Sequence, residues 1–275
     1  MVTLCYVDAL ARLLASAGDI PQRFGMLWVE ASGAPYVEPD DYPDVVYLQL
    51  ERLARLYFLS AINLLGVPEL ANAVNTYLRQ LVELLAQVLW IAGLDQGVSG
   101  DQTGAACRAI CAEEGATGVA AVRAEHLPEQ YHENASATRA GFKERQQQLA
   151  ELKKKHSCTC RPWDEGRVSA VLRAVASHHP DAAGFDPLYQ VTSNDIHNAL
   201  WHRYFQEVAP GVSDMPPATN QQRARLLHQA LSCYASCATT ILRHHSLDLA
   251  NEFEVGVRAL LTNQLSRRAV NGELD

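Results

Sequence analysis

The chain is predicted to be all-α, a helical bundle built on an antiparallel helix hairpin. Three observations predict it. Apolar residues recur at three- and four-residue spacing along nearly the whole chain. Alternating Val/Ile/Thr runs bounded by Asn-Gly or Asp-Gly turns, the signature of strands and hairpins, are absent from the sequence. Prolines and glycines gather in stretches between the periodic segments, as in "GAPYVEPDDYPD" and "APGVSDMPPATN". At 275 residues the chain is long enough to bury a sizeable core, and it is expected to form a single domain over residues 1–275.

The N-terminal "MVTLCYVDALARLLASAGDIPQ" reads as a first helix. Asp8 and Arg12 break its apolar run, so it lacks the pattern of a signal peptide. Asp44 is placed to cap a helix from about Val45 to Leu65. "GVP" stops it, and Pro68 opens a second, from about Glu69 to Gly93. These two are the expected hairpin. Shorter helices are expected at 101–115 and 116–126. A long polar helix follows at about 129–156, where Tyr131, Ala135, Thr138, Phe142, Leu149 and Leu152 step four and three apart, and Arg145 fills the slot that breaks the pattern. Such a narrow seam suits a coiled-coil-like arm that dimerises, or a helix lying across the body. Asp164 can cap a helix to about His178. Further helices are expected from about 189, over Gln221–His245 and over Leu247–Leu265.

The formal net charge of −8 argues against a general nucleic-acid coat or a membrane-surface binder, both of which need a summed positive field. A membrane span needs roughly 20 uncharged apolar residues, and Arg79 and Glu83 interrupt the best candidate. The seven cysteines suit a reducing compartment better than a disulfide framework, and a cytoplasmic location is expected. Cys107/Cys111 and Cys233/Cys237 fall four apart in helical patterns, where free cysteines pack as small apolar residues.

Arg79 and Glu83 sit one helical turn apart inside "TYLRQLVELLAQVLWIAG", the spacing of an ion pair. Charges among so many leucines are costly unless partners reach them from elsewhere in the fold. In "YQVTSNDIHNALWH", Ser193 or Asn194 can cap a helix. His197 would then fall near its positive end, where neutral imidazole is favoured and can act as a base.

With its Arg-x-x-x-Glu, "ARLYFLSAINLLGVPELANAVNTYLRQLVELLAQVLWI" resembles the front half of a bacterial all-helical domain-of-unknown-function family. That family pairs such a hairpin with a later Tyr…Ser-x-x-x-His segment, here Tyr189, Ser193 and His197, and the match spans roughly residues 45–245. Some of its relatives are described as similar to HEPN proteins of bacterial defence and toxin systems, many of which are metal-independent RNases acting as dimers through Arg-x(4–6)-His. The resemblance implies a site of Arg79, Glu83, Ser193 and His197 on one polar seam. In it His197 would take the 2′-hydroxyl proton of RNA, and Arg79 would stabilise charge on the phosphorane. No arginine precedes His197 at the HEPN spacing; Arg-x(4)-His occurs only as Arg173…His178 and Arg223…His228.

Lys153, Lys154, Lys155 and Arg161 are the strongest basic run, either complementing a helix C-terminus or contacting RNA phosphates. With Tyr189 they are the expected substrate-binding residues. His156, Cys158 and Cys160 lie within five residues, but Cys-x-Cys is tighter than the usual zinc spacing, so no metal or other cofactor is expected. Asp40, Asp41 and Asp44 have a magnesium-motif spacing, yet Pro39 and Pro43 force a loop. Two functions are therefore carried forward. One is a HEPN-like defence or toxin-type protein that binds or cleaves RNA, with a homodimer or a cognate protein as partner. The other is a non-catalytic interaction protein whose polar seam is structural and whose long helix recruits a partner.

Overall fold

The computed structural model describes residues 2–33, 41–98, 100–125, 132–194 and 218–262. Among these every regular element is helical. The helices are α1 (Val2–Gly18), α2 (Ile20–Ser32), α3 (Asp44–Leu65), α4 (Val74–Ile91), α5 (Gln102–Glu125), α6 (His132–Lys155), α7 (Val168–His178), α8 (residues 185–194), α9 (Asn220–His245) and α10 (Leu247–Leu261). Short 3-10 turns lead into α4, at Ala71–Ala73, and into α7, at Glu165–Arg167. No described helix is long and apolar enough to cross a membrane. The bundle is all-α as expected, and its contacts group the chain into two compact units, with boundaries inside α3 and α4.

The first unit comprises residues 1–35, 51–85 and 181–275. Its centre is α9, which packs against α10, α2 and α1. α9 starts at a capping box, Thr219 and Gln222 satisfying each other's backbone N–H groups. α2 meets α10 through Phe24, set edge-on to Phe253 at 6.3 Å, and through an Arg23–Glu252 ion pair at 3.3 Å. Tyr57 of α3 and Tyr77 of α4 touch at 6.2 Å across the turn joining the hairpin. Arg223 on α9 donates through Nε to the carbonyl of buried Leu65 at 2.7 Å, satisfying the C-terminal end of α3 with a cation. Phe58 stacks on Tyr234 at 4.9 Å. The Tyr234 hydroxyl donates at 2.6 Å to Glu51, only 1% exposed, which also accepts two hydrogen bonds from Arg55.

The second unit comprises residues 36–50 and 86–180. α5 is continuous where two shorter helices were expected. Gly115 does not break it; it lets the segment after α6 pass close by. A Cβ on Gly115 would sit 2.3 Å from the Trp163 carbonyl oxygen, and the Trp163 N–H donates to the Cys111 carbonyl at 3.2 Å. α6 lies against α5, the second of the two roles expected for the long helix. Leu149 is fully buried there, while Thr138 is exposed. Arg145, the residue out of place in the apolar seam, donates to Glu113 of α5 at 2.7 Å and to the Tyr42 hydroxyl at 2.8 Å. Tyr42 in turn donates to Glu113. Lys153 pairs with Glu114 at 2.6 Å.

The two glycines of α5 make a matched test. Gly115→Ala is expected to lower stability by about 1–3 kcal/mol through overpacking against backbone. Gly118→Ala, where a Cβ meets nothing within 4 Å, is expected to raise it by about 0.5–1 kcal/mol. Urea denaturation of both variants checks the pair; equal effects would remove the close approach as the reason for Gly115.

Candidate functional site

Two places in the structure gather polar chemistry, one in each unit. In the first unit, Arg79 and Glu83 share a face of α4, and Arg79 donates through Nε to Glu83 at 2.8 Å. Gln80 donates to the other carboxylate oxygen at 3.1 Å. The Arg79 guanidinium lies over the Tyr189 ring of α8, 5.9 Å from its centre. Partial burial pulls the guanidinium's pKa down, but Glu83 and the Tyr189 phenol outweigh that and hold its charge more firmly than usual. Arg79 is 23% and Glu83 12% exposed, so the pair stands at the margin of the core.

Ser193 follows Tyr189 by one helical turn on α8, and its hydroxyl oxygen is buried with no partner among the described residues. It lies inside a helix that already runs from residue 185, so neither it nor Asn194 is the expected N-cap. The argument for a neutral His197 from a helix start at these residues falls with that correction. His197 itself lies outside the described residues. The structure thus brings Arg79, Glu83 and Tyr189 together and leaves Ser193 with an unsatisfied hydroxyl nearby along α8. Neither Arg-x(4)-His pair forms a free site. Arg173 bonds the Ser169 carbonyl at 3.1 Å, while His178 packs beside Gly97. Arg223 caps α3, and burial lowers the pKa of His228 below its ordinary 6.5.

The second unit holds a cavity of about 560 Å³, bordered by Trp90, Asp101, Arg108, His156, Arg161 and Arg167 among others. Arg108 is the residue that the sequence reading missed. It is only 8% exposed, yet it projects from the alanine-rich face of α5 made by Ala105, Ala109 and Ala112. Its Nε donates at 2.9 Å to the Ile91 carbonyl, the open end of α4, and its Nη2 is buried with no hydrogen-bond partner among the described residues. Two glycines make room for it. A Cβ on Gly93, which has φ 77°, would stand 2.6 Å from Nη2, and one on Gly104 would stand 3.1 Å from Nη1. Burial raises the pKa of Asp95, against the lowering pull of Arg108 and Arg167. Arg167 also faces the Trp90 ring at 5.9 Å. The lone arginine among alanines was the available signal for this cavity, but its glycine cradle is visible only in three dimensions.

The expected basic run divides. Lys153 is half-buried in its pair with Glu114, whereas Lys154, Lys155 and Arg161 are exposed, and Arg161 borders the cavity. The cysteines divide too. Cys233 and Cys237 are buried free thiols, as expected, and burial pushes Cys233 up to about 12. Cys111 is not a free core thiol: it forms a disulfide with Cys160 across a Cα–Cα distance of 6.4 Å. Among the described residues no group of three or more His, Cys, Asp or Glu is arranged to hold a metal ion.

Fold and sites together define an all-helical protein with a charged seam in one unit and an arginine-lined cavity in the other. No family model, curated protein or solved structure matches the chain.

A buried hydroxyl without a partner carries a desolvation cost of about 1–3 kcal/mol, and alanine is the better helix former. Ser193→Ala is therefore expected to raise the unfolding free energy by about 1–3 kcal/mol. Chemical denaturation checks this. A loss above about 1 kcal/mol would mean that the hydroxyl is engaged in the folded chain.

Proposed function

We propose that the protein binds RNA, taking a backbone phosphate in the cavity bordered by Arg108, Arg161 and Arg167. The observation that carries this reading is Arg108, a buried cation with an N–H group left unsatisfied beside a cavity. Leaving a buried donor unpaired costs about 1–3 kcal/mol, and an oxyanion would recover it. A phosphate takes several N–H donors at once, which suits three guanidinium groups. Exposed Lys154 and Lys155 extend the positive region along the chain. The chain's overall negative charge restricts such binding to this local patch.

The narrower reading, a HEPN-like defence or toxin-type protein that cleaves RNA without metal, adds the seam of Arg79, Glu83, Ser193 and His197. His197 would serve as base and Arg79 would stabilise the phosphorane, with Glu83 orienting the guanidinium it already bonds. A second reading has its own observation. Arg79 is already satisfied by Glu83 and Tyr189, as a purely structural network would be, and the chain would then be a non-catalytic interaction protein.

Binding of a mixed-sequence single-stranded RNA, followed across a salt series, tests the first proposal. Affinity should fall steeply with salt, and Arg161→Ala should reduce the log–log slope by about 0.7, one phosphate contact. Salt-independent binding, or none, would overturn it. Incubating the same RNA with EDTA, beside a folded His197→Ala variant, separates the two roles of the seam. Cleavage that survives chelation and vanishes in the variant supports catalysis, and intact RNA with wild type favours the structural role.

A further inference from the structure

Four of the seven cysteines converge on one short stretch of the second unit. Cys107 and Cys111 stand one turn apart on the same face of α5, and Cys158 and Cys160 come from the segment after α6. The ending of α6 delivers that segment. Ser157 adopts a left-handed conformation, φ 53°, its N–H bonds the Lys154 carbonyl at 3.2 Å, and the Cys158 N–H bonds the Lys153 carbonyl at 2.9 Å. This is a Schellman closure, and it turns the chain back onto α5. The contacts there are dense with sulfur. The Cys160 sulfur lies 3.2 Å from the Cys107 carbonyl oxygen, and the Cys111 sulfur 3.2 Å from the Cys160 carbonyl oxygen. The Cys107 thiol donates to the His156 carbonyl at 3.5 Å and is also in hydrogen-bonding contact with the Cys158 thiol. Two cysteine pairs therefore lie side by side, one bonded and one reduced.

We propose that, once Cys111–Cys160 is reduced, Cys107, Cys111, Cys158 and Cys160 form a tetrathiolate zinc site that ties the segment after α6 to α5. Two sulfurs are spent on each other in the disulfide form, so that form offers no set of three ligands. Zinc in structural sites takes four cysteines tetrahedrally. The helix pair supplies two ligands, and these make up for the Cys-x-Cys spacing that is too tight to serve alone. The site also has work to do, because residues 158–164 carry no helix or strand of their own. The loaded site carries two negative charges, and Arg161 lies on the segment that supplies half of it.

The balance is simple. A small-molecule thiol reductant gives two electrons and two protons to the disulfide and is itself oxidised to a disulfide. Zinc then displaces the protons of four thiols to solvent. Cys107 and Cys160 also border the cavity of the RNA-binding reading, but zinc binding is tested without RNA.

The full chain, produced in zinc-supplemented medium and purified under reductant, should carry one zinc per molecule by elemental analysis and native mass. Replacing zinc with cobalt should give the intense charge-transfer and visible bands of a tetrahedral thiolate site. Cys158→Ser should abolish stoichiometric metal, and Cys233→Ser should leave it unchanged. If Cys158→Ser fails to fold, chelation of the wild type gives the same information, since removal of the metal should free four reactive thiols. Reduced protein without zinc and without cobalt bands would overturn the proposal. So would a metal-free product whose mass shows two disulfides, which would make the cluster a pair of covalent rungs.

Discussion

A carboxylate that has lost its water must find other donors or the fold that buries it fails. Glu51 is that group in the first unit. Burying an unpaired charge costs several kcal/mol, more than any single apolar contact returns. Glu51 is covered because Arg55, one turn later on α3, presents two N–H groups and Tyr234 of α9 presents its hydroxyl. Burial and the neighbouring carboxylate push the Tyr234 phenol far above its ordinary pKa, so it stays a donor at any physiological pH. The requirement fixes the register of α9 on α3, because only one placement puts the Tyr234 ring on Phe58 and its hydroxyl on Glu51 together.

The same arrangement recurs. Arg79 and Glu83 form a second i, i+4 pair within an apolar helix, completed by Tyr189 from α8. In the second unit Glu113 and Arg145, on different helices, are completed by Tyr42. Each time a guanidinium and a carboxylate neutralise each other, and a tyrosine from a distant part of the chain adds a ring face, a hydroxyl or both. Tyrosine suits the task because its body is apolar and its tip polar. Arg108 departs from the pattern: it caps α4 but has a buried N–H to spare. That departure, more than its charge, is what the phosphate-binding proposal rests on.

Much of the fold could be read from sequence because helical periodicity is a local property. The hairpin, the long polar helix and the paired spacing of Arg79 and Glu83 all follow from residues within one or two turns. Arg145 was legible as a misfit in an apolar seam, but its explanation is Glu113, thirty-two positions away. The boundary expected between residues 115 and 116 does not occur, and sequence shows the missing side chain of Gly115 but not the backbone passing beside it. Ser193 looked like a cap because its neighbours include a good capping residue, whereas α8 had already begun. The cysteine spacing on α5 was visible as well. Its meeting with Cys158 and Cys160 depends on how α6 ends, which tertiary packing decides.

The central claim, that buried acids are held by an arginine and a distant tyrosine, is tested most directly by a double-mutant cycle on Glu51→Gln and Tyr234→Phe, read by urea denaturation. Phenylalanine keeps the ring on Phe58 and removes only the hydroxyl. The account predicts that Tyr234→Phe alone costs about 1–3 kcal/mol, and that the two substitutions couple by about 0.5–3 kcal/mol. A Tyr234→Phe variant as stable as wild type, or strictly additive effects, would contradict it.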